Sequence, residues 1–451
     1  MSHLEDQKMA REVARLVARQ GGRTFYVGGY VRDGLRHREN KDVDIEVHGI
    51  SPKCLEDILD SLGQRMSIGE SFGIFGLKGY SLDIAMPRKE EARGMGHKDF
   101  AVFVDPFIGT EAAASRRDFT INALMQDVLT GEIVDPFGGV KDLQDGLLRH
   151  VNDQSFGEDP LRVLRSAQFA ARFGFRVAEQ TVSLCSRMRL EHLPRERIEG
   201  ELKKALLKAE NPSIFFEVLR QMDQLDHWFP ELKALIGVPQ NPVYHAEGDV
   251  WTHTMMVLDE AAKLRDRASN PYWFMLSAVV HDFGKAVCTE EKDGVLHAYL
   301  HEIKGLPLAE AFLRRITGER KLMDYVLNMV EYHMKPNTVA GARSAEKVTT
   351  RMFDLSVDPE GLICMALADD RGRITQAPAT NHEEFLYERL AVYRELMARP
   401  YVMGRDLIEA GLKPGAEFTE ILQYAHKLRL AGIPKENALK QTLSYARKLK
   451  F

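Results

Sequence analysis

Along the first third of the chain, apolar residues come in short runs broken by glycine turns: TFYV before Gly28 and Gly29, then VDIEV, FGIFGLKG, YSLDIAM and FAVFVD. Short β-rich runs bounded by such turns are a strand signature, and they predict an α/β or α+β region over residues 23–149. From Asp159 onward the apolar spacing lengthens to the helical period, through LRVLRSAQFAARF, ERIEGELKKALLKA, SIFFEVLRQM and THTMMVLDEAAKL. The remainder is therefore expected to be all-α. Asp159 followed by Pro160 reads as the N-cap and first residue of a helix. NPVYHAEGD reads as a loop into a further helical unit, and QAPATN at 376–381 sets off a helical tail. The expected divisions are 1–148, 149–240, 241–375 and 376–451. No internal repeat or low-complexity segment interrupts them.

Composition narrows the class. At 451 residues the chain is long enough for several domains, and 44% hydrophobic with 28% charged residues suits a soluble protein. No apolar run approaches the roughly 18 residues that a membrane span needs. The opening MSHLEDQKMAREVARLVARQ mixes acids and bases throughout, so it reads as a surface helix rather than a secretory signal. Cys54, Cys185, Cys288 and Cys364 fall into no CxxC or zinc-ribbon spacing, and a reducing cytoplasm is the expected location. A formal net charge of -5 gives no global attraction to nucleic acid. Any RNA contact must come from local basic faces, such as the tail with Lys427, Arg429, Lys435, Lys440, Arg447, Lys448 and Lys450. A solubilising tail has the same composition.

Two local patterns carry chemistry. In YVGGYVRD, glycines after a β-like run let backbone amides approach phosphate, and Arg32 one turn later can grip it bidentately, although paired glycines also mark ordinary turns. Next comes DVDIEV, where acids alternate with β-branched residues. Alternation puts Asp42 and Asp44 on one strand face and Val43, Ile45 and Val47 in the core. Neighbouring carboxylates repel unless a cation sits between them, and two Mg²⁺ ions there could activate an attacking 3′-hydroxyl and stabilise departing pyrophosphate. A solvated strand face is the other reading of DVD alone; the glycine-arginine segment at this distance makes the pair more specific. Asp83 in YSLDIAM is a candidate third carboxylate from an adjacent strand. There is no GxxxxGK[ST], so this is not a P-loop site.

VGGYVRD, KDVDIEV, RRDFTINAL, EDPLRVLR and PRERIEGELKKAL together resemble the successive motifs of the class II tRNA nucleotidyltransferase and bacterial poly(A) polymerase family, and the likeness runs over nearly the whole chain. The resemblance implies an α+β, polymerase-β-like head with a mixed sheet over 1–148, then an all-α neck, an HD domain and a tail. It implies Mg²⁺ on Asp42 and Asp44, and nucleotide contacts from Gly28, Gly29, Arg32 and Arg117. Its partners would be tRNA, CTP and ATP.

Cytosine and adenine each present an exocyclic amine beside a ring-nitrogen acceptor, whereas uracil and guanine present oxygen and N–H. A carboxylate accepting from the amine and a guanidinium donating to the ring nitrogen would welcome C and A alone. The resemblance places this role on Asp159 and Arg162, with Arg165 also near the nucleotide. Glu196, Arg197 and Glu201 read as a supporting helix.

A second constellation lies in the helical half. WTHTMMVLDEAA sets His253 on an amphipathic helix, SAVVHDFGK places His281 beside Asp282 at a helix end, and His297, His301, His333, Asp369 and Asp370 follow. A His-Asp pair at a helix terminus can hold one cation with a distant histidine and aspartate. This order resembles the HD phosphohydrolases and the HD-bearing CCA-adding enzymes, which implies His253, His281, Asp282 and Asp369 as ligands of a divalent transition metal. His301 and His333 match positions for a second metal or phosphate. Water activated there would attack a phosphomonoester or 2′,3′-cyclic phosphate.

CCA addition is the leading expectation. Its rivals are an A-adding or CC-adding enzyme, a poly(A) polymerase, or an HD phosphohydrolase acting on RNA 3′ phosphates. The stretch ARGMGHKDF resembles a flexible element for switching from C to A, which argues against CC-only addition.

Overall fold

The structure, a computed structural model, describes residues 3–38, 40, 42–69, 74–92, 100–375 and 382–449. The chain forms two compact units, Met1–Ala205 with Ile214–Gln224, and Leu206–Ser213 with Leu225–Phe451. Among the described residues, no helix is long and apolar enough to cross a membrane.

Among the described residues, the first unit begins with the strands β1 (Arg23–Val27), β2 (Val43–His48), β3 (Arg65–Gly69), β4 (Ile74–Leu77), β5 (Leu82–Ala85), β6 (Arg88–Ala92), β7 (Phe100–Val104), β8 (Met125–Asp127) and β9 (Ile133–Val134). Seven of them form one sheet in the order β3-β4-β5-β2-β1-β8-β9, while β6 and β7 make a separate antiparallel pair. The sheet is mixed, because β2 and β5 run parallel while the other pairs are antiparallel. Alternation in DVDIEV sends Val43, Ile45 and Val47 into the core, where they meet Ala10, Val13, Ala14 and Val17 from the helix His3–Arg19. Those four positions follow the i, i+3, i+4, i+7 rhythm of one helix face.

The helix that begins EDPLRVLR runs Leu161–Phe173, with Pro160 just before it. Pro160 rather than Asp159 therefore takes the N-cap position, while the Asp159 Oδ1 accepts from the Leu161 amide at 3.1 Å. Leu161 and Leu164 are buried on its core side.

The second unit is helical around three capped helices. Asp249, Asn270 and Asp358 each accept a backbone N–H at the start of Val250–Leu264, Pro271–Val280 and Pro359–Arg371, and the latter two helices have proline at their first turn. These caps satisfy amides that the first turn leaves orphaned. The first and third helices pack together, and Arg320–Tyr332 packs on the second. The tail helices Phe418–Leu430 and Lys435–Leu449 share a small core of Ile421, Ala425, Ala438 and Ala446.

The expectation of a purely α-helical remainder needs correction. Leu147–Leu148 pairs with Arg176–Val177, and Glu290–Lys292 pairs with Val295–His297 as a hairpin. The hairpin turns at Asp293 and Gly294, with φ of 54° and 75°. Two successive positive φ values are what a tight two-residue hairpin turn requires, and Asp-Gly is its sequence signal. The break at 376–381 and residues 93–99 of the glycine-rich stretch lie outside the described residues.

Candidate nucleotidyl-transfer and metal sites

β1 ends just before Gly28, whose φ of 63° suits glycine. A Cβ there would lie 3.2 Å from the Arg117 Nη1, so the missing side chain lets this guanidinium close on the backbone. Gly29 opens the helix Gly29–Leu35.

Asp44 of β2 and Asp83 of β5 are register partners on parallel neighbours, which brings the third carboxylate beside the second. Asp42 is exposed immediately before β2. Burial raises the Asp44 carboxyl above its usual range, Asp83 and Asp42 add to the rise, and Arg117 opposes it. Like charges held together in this way favour a cation. Glu46, further along the same strand face, is buried; it accepts from His48 Nε2 at 2.9 Å and Arg117 Nη2 at 3.4 Å.

Beside this cluster lies a cleft of about 270 Å³ whose wall carries Arg88, Arg116, Arg117 and Arg162 with Glu46 and Ser155. Such a concentration of guanidinium groups suits a polyphosphate. Arg162 donates Nη1 to the Ser155 carbonyl at 2.7 Å and Nη2 to that of Arg116 at 2.8 Å. Asp159 and Arg162 are not paired with each other. The Asp159 Oδ2 accepts instead from Arg197 at 3.0 Å, which gives the supporting helix a direct hold on the carboxylate.

Two arginines lie elsewhere than an open nucleotide grip would need. Arg32 is 4% exposed. Its Nε and Nη2 donate to Asp33 at 2.8 and 2.9 Å, and Nη1 donates to Asn122 at 2.7 Å. Its guanidinium also lies 4.7 Å from the Phe173 ring centroid. Arg165 donates to the buried Asp118 at 2.8 and 2.6 Å. Asp118 also accepts from the Phe119 amide and Asn122. Against its burial, Arg165 and these donors hold the Asp118 carboxyl below the usual range. Asp118→Ala should therefore destabilise the chain by about 3 kcal/mol in urea titrations, because it strands a partly buried guanidinium. The depressed carboxyl also makes this contribution fade only as pH falls below the ordinary aspartate range.

In the second unit, His253 lies within its helix, His281 caps the end of Pro271–Val280, and Asp369 lies in the last turn of Pro359–Arg371. His253, His281 and Asp369 offer ligand atoms within 4.8 Å of one another, as do Asp282, His301 and His333. Each histidine is oriented through Nδ1. His281 donates to the Ala278 carbonyl at 2.9 Å, His301 to Ala298 at 3.0 Å, His333 to Val330 at 2.6 Å and His253 to Glu247 at 3.1 Å. That pattern turns each Nε2 toward the acids or a neighbouring ring, with His253 Nε2 3.0 Å from Asp369 Oδ1 and His301 Nε2 3.2 Å from Asp282 Oδ1.

The residues fit a metal on two observations. The His281 Nε2 is buried without a hydrogen-bond partner, lying 3.3 Å from the Asp282 carboxylate but off hydrogen-bonding geometry. The Nε2 atoms of His301 and His333 lie 3.2 Å apart, where facing lone pairs need a proton or a cation between them. Burial, then His301 and His281, push His333 down to about 3, whereas Asp282 raises His301 against its burial. Gly284 is needed for this arrangement: a Cβ there would meet the His301 carbonyl at 2.0 Å.

Comparison with known proteins identifies the family of the chain. Residues 24–149 match the poly A polymerase head domain, and residues 174–236 match the "probable RNA and SrmB-binding site of polymerase A". The multifunctional CCA protein of Actinobacillus pleuropneumoniae serotype 5b is 38% identical over 361 residues, 78% of this chain and 85% of that protein. That of Halorhodospira halophila is 35% identical over 426 residues, 92% of this chain and 98% of that one. The chain belongs to the multifunctional CCA protein family. Among solved structures, the Thermotoga maritima CCA-adding enzyme complexed with tRNA shares the fold, with a TM-score of 0.64 at 21% identity over 97% of this chain and 95% of that one. Nucleotidyl transfer in this family depends on a divalent metal.

In this CCA family member the structure also brings in a residue that sequence reasoning missed, Glu247 within HAEGD. Its one local signal is its place six residues ahead of His253. The carboxylate takes His253 Nδ1, His245 Nδ1 at 2.8 Å and the Ile374 amide at 2.8 Å. Against its burial, the bonds from His253 and Ile374 hold it down to about 2. A carboxylate behind a metal-binding histidine fixes its tautomer and raises its basicity. Glu247→Ala should weaken metal retention about 10- to 100-fold, read by dialysis against graded chelator with elemental analysis.

Proposed function

We infer that the chain adds CMP and AMP to the 3′ end of tRNA, building CCA without a nucleic-acid template. The observation that carries this is the pairing of Asp44 with Asp83 beside an arginine-lined cleft, in a member of the CCA family. CTP, ATP and tRNA are the substrates. Asp42 and Asp44 would hold Mg²⁺, with Asp83 alongside; when bound, the metal supplies charge neutralisation and Lewis acidity for nucleotidyl transfer. Arg117, beside Gly28, would orient the triphosphate, and Glu46 holds Arg117 in place. Asp159 and Arg162 would read the base, with Arg197 steadying Asp159. Arg32 and Arg165 would act as positioning residues through Asp33, Asn122 and Asp118. The regions 1–148, 149–240, 241–375 and 376–451 would serve as head, neck, HD domain and tail, in a protein of the cytoplasm whose four cysteines are free.

The test uses three tRNAs, ending before CCA, after the first C and after CC, each given CTP, ATP or both. Completion of all three by the appropriate nucleotides is expected. A added solely to the CC-ended tRNA would replace the reading with A-only addition.

The orphaned His281 Nε2 favours a second activity, hydrolysis of 3′ phosphates or 2′,3′-cyclic phosphates on RNA. His253, His281, Asp282 and Asp369 would hold a divalent transition metal, with His301 and His333 adjoining it; when bound, it supplies an activated water.

A further inference from the structure

The HD site opens into a cleft of about 300 Å³, a volume at the small end of ligand pockets. Its chemistry changes between floor and mouth. On the floor, Asp282 and Asp369 are joined by Lys285, whose Nζ lies 2.7 Å from Asp282 Oδ2, and Arg373, which pairs with Asp370. Toward the mouth the lining becomes aromatic and apolar. Tyr244 lines it at 50% exposure and Met334 at 37%, while His297 lines it with its ring stacked on Tyr299, centroids 4.8 Å apart and planes 11° from parallel.

The backbone holds this apolar rim in place at a conformational cost. Tyr299 and Leu300 occupy the two positions between the lining residues Ala298 and His301, and they are 56% and 60% exposed. Leu300 has φ of 58°, a left-handed conformation that a leucine adopts only against strain. The turn brings His301 inward while leaving Leu300 at the surface. Large exposed apolar side chains next to a floor with cationic groups suit a ligand that is anionic at one end and flat and apolar at the other.

We propose that the mouth of this cleft is a nucleobase platform, formed by Tyr244 and by His297 backed by the stacked ring of Tyr299, so that the HD site takes the phosphate of a nucleotide in preference to phosphate esters lacking a base. The proposal rests on the phosphohydrolase reading above and adds the residues that select its substrate. A base bears π-faces that stack on aromatic rings whatever its sequence identity, and the phosphate then falls toward Lys285 and Arg373. The terminal nucleotide of an RNA, the substrate the head already requires, has this form.

The test compares the metal-loaded wild type with Tyr244→Ala, Tyr299→Ala and the conservative Tyr244→Phe. Substrates are adenosine and uridine 2′,3′-cyclic phosphates and, as a baseless control, glycerol 2-phosphate. Each alanine variant should raise KM for both nucleotides about tenfold with kcat unchanged, leave the control unaltered, and be rescued in Tyr244→Phe. A second readout is equilibrium dialysis of adenosine 3′-phosphate with CTP and Mg²⁺ saturating the head, where affinity should fall by the same factor. Equal effects on nucleotides and control, or unchanged adenosine 3′-phosphate affinity in both alanine variants, would overturn the platform. If the wild type hydrolyses none of the substrates, the phosphohydrolase reading falls, and the dialysis result decides the platform by itself.

Discussion

Asp44→Ala is expected to abolish nucleotide incorporation, lowering kcat for both CMP and AMP addition by at least about three orders of magnitude. A metal acting on the reacting oxygens is worth several kcal/mol of transition-state stabilisation, and each 1.4 kcal/mol is about a factor of ten. The same substitution should leave thermal stability unchanged or slightly higher. Asp44 is raised by burial and by Asp83, so in the metal-free chain its ionised form is disfavoured by folding. A raised carboxyl contributes stability that is present below its unfolded pKa and lost as pH rises through the folded value. Above the folded value that contribution has gone, and alanine removes the repulsion. Loss of activity without loss of stability separates a metal ligand from a structural strand residue. Full incorporation by the Asp42→Ala, Asp44→Ala double variant would end the assignment.

How much of this was legible depended on the range of the interaction. Asp44 and the buried Val43, Ile45 and Val47 follow from side-chain alternation within one strand, a local rule that needs no partner, whereas Asp42 stands just before that strand. Glu46 obeys the same rule and shares that face, yet its role depends on His48 and on Arg117, which lies far along the chain. Arg32 reads as a phosphate grip because it stands one turn after two glycines. Its partner Asn122 comes from a segment remote in sequence, and that long-range bond decides its environment. Arg165 is drawn into Asp118 in the same way. The hairpin at 290–297 is a different kind of miss. Its Asp293-Gly294 signal is local, but the surrounding helical periodicity outweighs it.

The histidine cluster is more legible as a set than as a geometry. Order along the chain marks His253, His281, Asp282 and Asp369, whereas the inward turn of every Nε2 depends on carbonyls one helical turn back and on Glu247. Orientation by Nδ1 is what would let four buried imidazoles serve as ligands rather than as core residues.

His281→Ala should therefore empty the HD site of transition metal while the head goes on adding CCA. The His281 Nε2 is buried without a well-formed hydrogen bond and has only the Asp282 carboxylate 3.3 Å away. Removing one of four ligands should weaken metal binding by more than about a hundredfold, beyond the effect expected for an outer carboxylate such as Glu247. Hydrolysis of a 3′-phosphorylated or cyclic-phosphate RNA should disappear with the metal. His281 is 1% exposed, so alanine also leaves a cavity, and a fall in stability of about 1–3 kcal/mol is expected on packing grounds alone. Metal stoichiometry from elemental analysis, measured on folded protein, separates the two effects. Asp282→Asn gives an independent check, because it keeps the volume while removing the charge that Lys285 and His301 now face. If both variants retained the wild-type metal content and released phosphate undiminished, the HD residues would be packing elements and the second activity would have to be withdrawn.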